Sequence, residues 1–151
     1  MRAEITLGAR LSSYSLKYTG ANDAQILGTL NPMTTIAKTT YVRSPKLLQR
    51  ARLIPCQICG SENGTVVAAH SNQSKHGKGM GRKASDNFIA SLCWDCHYMI
   101  DQGQELTKIE KKNVWDSAHL NTVWALIHHD LWPPEVPYPE TYEAWKREST
   151  N

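Results

Sequence analysis

Two pairs of cysteines share one spacing, Cys56-x-x-Cys59 and Cys93-x-x-Cys96, and His97 directly follows the second pair. Two sulfurs set two residues apart can face one cation from a tight turn. Two such pairs supply the four thiolates that Zn²⁺ favours in a closed tetrahedral site. A site of that kind supports folding and does no chemistry of its own. Thirty-three residues separate Cys59 from Cys93, more than in compact zinc fingers. A strand–loop–strand accounts for that length if the metal clamps the base of a hairpin. A redox role would need a thioredoxin-like βαβ setting, which is absent around either pair. Four cysteines so paired do not make a disulfide scaffold.

Beside this frame stand two histidines. His70 ends residues 65–70, whose Thr and Val content predicts a strand. His97 opens a predicted helix, and Asp101 falls four residues later on the same helical face. Phosphodiester hydrolysis needs a base to activate water, a divalent cation to stabilise the phosphorane charge, and ligands for that cation. A strand-borne histidine facing a helix-borne histidine and a carboxylate supplies all three. His119, His128 and His129 lie on a later predicted helix and read as satisfied or surface histidines.

The formal charge of +3 over 151 residues conceals a division. Residues 38–83 hold nine basic side chains against one acid, Glu62, for a net of +8, whereas residues 84–151 net −6. A basic block of that size is an electrostatic footprint for a polyanion. Within it, Lys75, His76, Lys78, Arg82 and Lys83 are interleaved with Gly77, Gly79 and Gly81. Glycine lets backbone N–H groups approach a phosphate, and the cations pair with its oxygens. Contacts of this kind carry little sequence information and are salt-sensitive. Arg43, Lys46, Arg50 and Arg52 extend the same expected surface.

The elements that would position these groups are short. Ser44-Pro45 reads as the cap and first residue of a basic helix that Pro55 stops. Asn63-Gly64 is a turn signal. Strands are expected at residues 65–70 and 88–92, joined by the glycine-rich loop. One helix is expected over residues 93–101, ended by Gly103, and a longer one over residues 105–130, with Trp115 and Trp124 as core or helix-packing residues. Three segments follow: a weakly structured arm at 1–42, a zinc-stabilised domain with a long C-terminal helix at 43–131, and a Pro-rich extended tail at 132–151. Trp132 and Trp145 flank that tail, placed to dock on the domain or on a partner. No run of about 18 apolar residues is present, which excludes a transmembrane helix. The first ten residues lack an apolar stretch of signal-peptide length, so a cytoplasmic protein is expected.

Residues 65–70 and the run Asp86-Asn87-Phe88-Ile89-Ala90-Ser91-Leu92-Cys93-Trp94-Asp95-Cys96-His97 resemble the ββα-metal (HNH) nuclease motif with a CxxC at each end. The likeness covers residues 54–103, about a third of the chain. Ala69-His70-Ser71-Asn72 and the loop Gly77 to Asp86 are similar to a narrower phage and prophage group. That group comprises small nucleases of the YbcO type and recombination-enhancement nucleases that cut DNA bound in RecA filaments. The resemblance implies an α+β fold: a small zinc-stabilised ββα-metal core with flanking helices and extended terminal segments. It implies His70 as the general base, His97 as a ligand of a catalytic Mg²⁺ or Mn²⁺, and Asn87 as the residue that holds the loop and orients His70. It implies DNA as substrate, with the RecA filament as a candidate partner in a bacterial cytoplasm. The products would be a 3′-hydroxyl and a 5′-phosphate. Asn72, Lys75, His76, Lys78, Arg82 and Lys83 are the expected DNA contacts. Two positions depart from the pattern. Ala69 stands where many HNH nucleases carry a metal-binding Asp, and Asn87 precedes Cys93 by six residues rather than five. The second carboxylate ligand must come from elsewhere, with Asp86 and Asp101 as candidates. The rival expectations are a zinc-ribbon-like DNA-binding or recombination accessory protein without catalysis, favoured by Ala69, and a thiol oxidoreductase.

Overall fold

The computed structural model describes residues 40–150; the arm expected at 1–42 lies almost wholly outside them. The first helix, α1 (Pro45–Arg50), starts as its sequence demands. The Ser44 side chain accepts the Leu47 N–H, and Pro45 occupies the first turn. A 3₁₀ turn, Ala51–Leu53, follows. Strands β1 (Val67–His70) and β2 (Ile89–Leu92) pair antiparallel, with Val67 opposite Leu92 and His70 opposite Ile89. Helix α2 (Trp94–Asp101) runs on from β2, and α3 (Lys108–His128) and α4 (Glu140–Ser149) complete the order. The described chain is therefore mixed α+β, with four α-helices and a two-stranded sheet.

Strands of four residues cannot stand alone in water, and β2 shows how this pair is supported. All four of its residues are buried. Ile89 joins Leu47, Val123, Leu126 and Trp132 in one core, while Ala90 and Leu92 join Ala69, Ile100, Trp115, Cys56, Cys93 and Cys96 in a second. Its outer edge is closed by two side chains and one backbone N–H. Thr122 Oγ1 accepts the Ser91 N–H (2.9 Å), His119 Nδ1 donates to the Ile89 carbonyl (2.8 Å), and Gln57 N–H donates to the Ser91 carbonyl (2.8 Å). The Ser91 hydroxyl, fully buried, donates to Ala51 O (2.7 Å). The backbone groups an edge strand would leave open are thus satisfied.

A capping box begins α3. Thr107 accepts the Glu110 N–H, and the Glu110 carboxylate accepts the Thr107 N–H. Trp115 is buried as expected, but Trp124 is 47% exposed and stacks on His128 instead of entering the core. The C-terminal segment corrects the expected extended tail. Trp132 and Val136 are buried, Pro133 and Pro139 are fully enclosed, and Trp132 Nε1–H donates to Val136 O (2.9 Å). Pro139 then opens α4, whose Tyr142 and Trp145 continue an aromatic row from Tyr138. Prolines here fix the path of a packed segment rather than releasing it. Among the described residues, no helix is long and apolar enough to cross a membrane.

Two histidines lie inside this packing. His119 is 1% exposed and bridges Ile89 O and the Thr141 hydroxyl (3.0 Å). His76 was expected among the DNA contacts. It is instead 5% exposed, hydrogen-bonded to the Ser71 hydroxyl (2.7 Å) and stacked on Phe88 at 4.2 Å. Burial drives both imidazoles down to about 4, assisted at His76 by the neighbouring Lys75 charge. A folded-state value below the unfolded 6.5 means the unfolded chain binds the proton first. Stability is therefore lost as pH falls from about 6.5 toward 4. The urea-unfolding free energy should drop by roughly 2 kcal/mol per histidine between pH 7 and 5. Imidazole nitrogen shifts should report both rings neutral in the folded protein at pH 5; a protonated His119 under those conditions would contradict the assignment.

Candidate functional site

Cys56, Cys59, Cys93 and Cys96 converge, their sulfurs all within 4.8 Å of one another and none in a disulfide. The first pair sits on a knuckle closed by the Gly60 N–H to the Cys56 carbonyl (2.8 Å), with Gly60 at φ +74°. That left-handed position favours glycine directly after the pair. The second pair is placed by the start of α2, where the Cys93 carbonyl accepts the His97 N–H (2.9 Å). Because Val67 pairs with Leu92, the sulfurs lie at the open end of the hairpin, where the sequence calls for a clamp. Cys59 Sγ and Cys93 Sγ are 3.6 Å apart. A tetrahedron with Zn–S bonds of about 2.3 Å has edges of about 3.8 Å, so the set fits. Burial opposes charge on the sulfurs. At Cys56, backbone N–H donors outweigh it and bring the thiol to about 7, while burial and the neighbouring sulfurs push Cys96 up. Burial also raises Cys59. The cluster can hold a metal ion such as zinc, whose charge would relieve the crowding of four sulfurs.

His70 sits at the other end of β1, where the hairpin opens into the loop. Its Nε2 lies 2.8 Å from Asp86 Oδ1. Asp86 is 5% exposed; its Oδ2 accepts the Ser44 N–H (2.7 Å) and its Oδ1 also meets Arg43 (3.3 Å). Three donors and burial leave this carboxylate no open face for a cation. Asp86 is therefore a brace for the cap of α1 and for His70, not the second metal carboxylate. Asn87, expected to orient His70, makes no hydrogen bond to it. Its Nδ2 donates to Pro137 O (3.3 Å), tying down the C-terminal segment. The side chain that contacts His70 is that of the preceding residue, Asp86.

Helix α2 carries the second pair. His97 Nε2 and Asp101 Oδ2 are 3.1 Å apart, and Asn72 Nδ2 donates to Asp101 Oδ1 (2.7 Å). The hydrogen bond between them raises the His97 pKa and lowers that of Asp101. Asn72, expected on DNA, instead links the segment after β1 to α2 and so ties the His70 end of the hairpin to the His97 helix. His97 and Asp101 line a shallow depression of about 170 Å³ with Trp94, Tyr98 and Gln102. Among the described residues, the cysteines are the only group of three or more ligand-type side chains within 4.8 Å of one another. His70 with Asp86 and His97 with Asp101 are thus two pairs, not one preformed four-residue site.

The glycine-rich loop forms a basic concavity of about 530 Å³ lined by Tyr41, Lys75, Lys78, Arg82 and the backbone of Gly77 and Gly79, with no acid among its lining residues. The Tyr41 hydroxyl donates to Gly77 O (3.3 Å), and its ring lies 5.5 and 5.8 Å from the Arg43 and Arg82 guanidinium carbons. A Cβ on Gly77 would come within 2.8 Å of that ring, at a φ of +88°. Gly77 is thus required by both conformation and space. Several of the expected phosphate contacts also have partners within the fold. Arg43 binds the carbonyls of Ala84 (2.8 Å) and Lys83 (3.3 Å), Arg50 binds Leu131 O (3.0 Å), and Lys46 lies 3.6 Å from Glu135. Lys75 lies 3.9 Å from Asp116. If Lys78 and Arg82 meet phosphate, K78A/R82A should weaken DNA binding and lower the slope of log K against log salt by about 1 to 2. An unchanged slope in fluorescence-anisotropy titrations would remove them from the contact set.

No protein-family model, curated protein or solved structure matches the chain. Sequence reasoning singles out neither Tyr41 nor the stacked pair Trp94 and Tyr98. The available signal for the second is an aromatic i, i+4 pair on the helix that bears His97.

Proposed function

We propose that the protein is a metal-dependent phosphodiester hydrolase, and more narrowly an HNH-type endonuclease acting on DNA. The observation that carries this reading is the His70–Asp86 dyad. A buried carboxylate accepting the Nε2–H fixes the tautomer that leaves the lone pair on Nδ1, which makes no hydrogen bond among the described residues. A histidine so held is a general base, and the carboxylate stabilises the imidazolium that forms when it takes a proton from water. His97 and Asp101 offer one imidazole nitrogen and one carboxylate oxygen. Their 3.1 Å separation is near the ~3 Å edge of an octahedron with bonds of about 2.1 Å, so the pair fits Mg²⁺ or Mn²⁺ completed by water and phosphate. Such an ion would stabilise charge on the phosphoryl oxygens. In this reading the cysteine cluster holds a structural zinc that fixes α2 against the hairpin, and the basic concavity takes the DNA backbone. Prophage origin and action on RecA-coated DNA belong to the same proposal and rest on the sequence resemblance.

A zinc-braced DNA-binding module without catalysis is the second reading. It is favoured by Ala69, buried against Ala90 where a ligand would have to emerge, and by the separation of the two pairs. Incubation of plasmid, single-stranded and RecA-coated DNA with Mg²⁺ or Mn²⁺ decides between them. EDTA-sensitive nicking supports the hydrolase. Salt-sensitive binding without cleavage of any form supports the module.

A further inference from the structure

Helix α2 presents two large aromatic side chains to solvent one turn apart. Trp94 is 62% exposed and Tyr98 51% exposed, and their rings stack at 5.3 Å with planes 11° apart. Exposed apolar residues scattered singly are ordinary, but these two are ordered against each other and share one depression with His97 and Asp101. At about 170 Å³ the depression is smaller than the ~300 Å³ or more of a pocket enclosing a small molecule. It is a shallow seat for one planar ring, beside a candidate phosphate-processing pair. The hydrogen bond from His97 lowers the Asp101 pKa most, and the charge of Lys78 on the loop adds to that lowering. An aromatic stack beside a candidate cation-binding pair in one depression suits the base and the phosphate of a nucleotide unit.

We infer that Trp94 and Tyr98 form a stacking platform for an unpaired nucleobase, and that the preferred ligand at this face is single-stranded nucleic acid. The inference rests on the phosphodiesterase reading only for what happens next to the platform; the platform itself is a binding site. Stacking on aromatic faces is indifferent to base identity because every base has a π-face, and it is unavailable to a base kept inside a duplex. Together with phosphate contacts from the loop, it would select strand form without selecting sequence.

The test is binding of fluorescein-labelled oligothymidylate and of a labelled duplex to the zinc-loaded protein, in EDTA-free buffer without Mg²⁺ or Mn²⁺. Wild type should bind the single strand more tightly. W94A and Y98A should each lose roughly 5- to 100-fold in single-strand affinity, with duplex affinity changed less than twofold. W94F and Y98F should recover most of the loss, because they keep an aromatic face; Y98F also removes the hydroxyl as an alternative cause. Zinc content and melting temperature of each variant check that the adjacent cysteines are undisturbed, and Y98A set against Y98F carries the test if W94A loses metal. Equal loss on both DNA forms, or no loss on the single strand, overturns the platform. A protein that binds oligothymidylate through these rings yet cuts no DNA overturns the hydrolase and leaves the platform. A protein that cuts DNA while W94A and Y98A bind normally does the reverse.

Discussion

Replacing Cys59 by serine, or removing the metal with a strong chelator, should unfold the hairpin and α2 while part of α3 persists. The two cores make the outcome uneven. Cys56, Cys93 and Cys96 belong to the core that holds Val66, Ala69, Leu92 and Ile100, so their sulfurs are both candidate metal ligands and packing atoms. Leu47, Val123, Leu126, Trp132 and Tyr142 form the other core, which contains no cysteine. The first core rests on a four-residue strand pair and an eight-residue helix, elements too short to persist alone. Structural zinc contributes on the order of 10 kcal/mol or more to small zinc domains, comparable to the entire stability of a typical domain. The zinc-loaded protein should contain one zinc per chain. Chelation should lower the melting temperature by more than about 10 °C, since each 1 kcal/mol is worth roughly 4–8 °C in a domain near 100 residues. Amide exchange should accelerate first at Val67–His70 and Trp94–Asp101 and last in the C-terminal half of α3. Uniform melting would show that the two cores are one cooperative unit, and unchanged melting would exclude a structural metal. The thiol oxidoreductase alternative predicts disulfides within each CxxC, whereas all four thiols are free and Cys59 Sγ lies 3.6 Å from Cys93 Sγ across the pairs.

Local chemistry was legible in the sequence, and its tertiary use was not. The Ser44–Pro45 cap, the hairpin and the helix after Cys93 each have a signal within a few residues, and each appears within two or three residues of the expected place. The convergence of the cysteines follows from spacing alone because a CxxC turn has few geometries. His76 illustrates the limit. Its neighbours in sequence are lysines and glycines, but its neighbours in space are Phe88, Trp115 and His119, and no local pattern encodes that stack. The prolines of the C-terminal segment were misread for the same reason. Proline signals a fixed φ and a missing N–H, both compatible with an extended tail or with a packed turn, and burial of Pro133 and Pro139 decides for the turn. Asp86 and Asn87 differ by one step in the chain, which at the mouth of a hairpin points side chains to different neighbours. Asp86 faces His70, and Asn87 faces Pro137. The Thr107–Glu110 capping box, which is not among the sequence expectations, starts α3 at Lys108 rather than at residue 105.

H70A should reduce metal-dependent DNA cleavage by roughly 10²- to 10⁴-fold, the range expected for loss of a positioned general base. The loss should persist at saturating Mg²⁺ or Mn²⁺, because His70 is held by Asp86 rather than by the proposed cation ligands. His97 and Asp101 predict a different signature. H97A and D101N remove one of two protein donors, so the metal concentration for half-maximal cleavage should rise, with part of the rate restored at high metal. D101N should also loosen Asn72, whose amide donates to that carboxylate. D86N separates base from brace. It weakens the acceptor for the His70 Nε2–H, and it weakens the interactions with the Ser44 N–H and Arg43 that fix α1. Cleavage should therefore fall together with melting temperature, whereas in H70A cleavage falls and melting changes little, His70 being only partly buried. Cleavage rates across a metal titration, with melting curves for all four variants, read these differences directly. If H70A cuts as fast as wild type, His70 is not the base. If H97A and D101N lose activity that no metal concentration restores while H70A is rescued by metal, the two pairs have exchanged roles, and the cation belongs at the mouth of the hairpin.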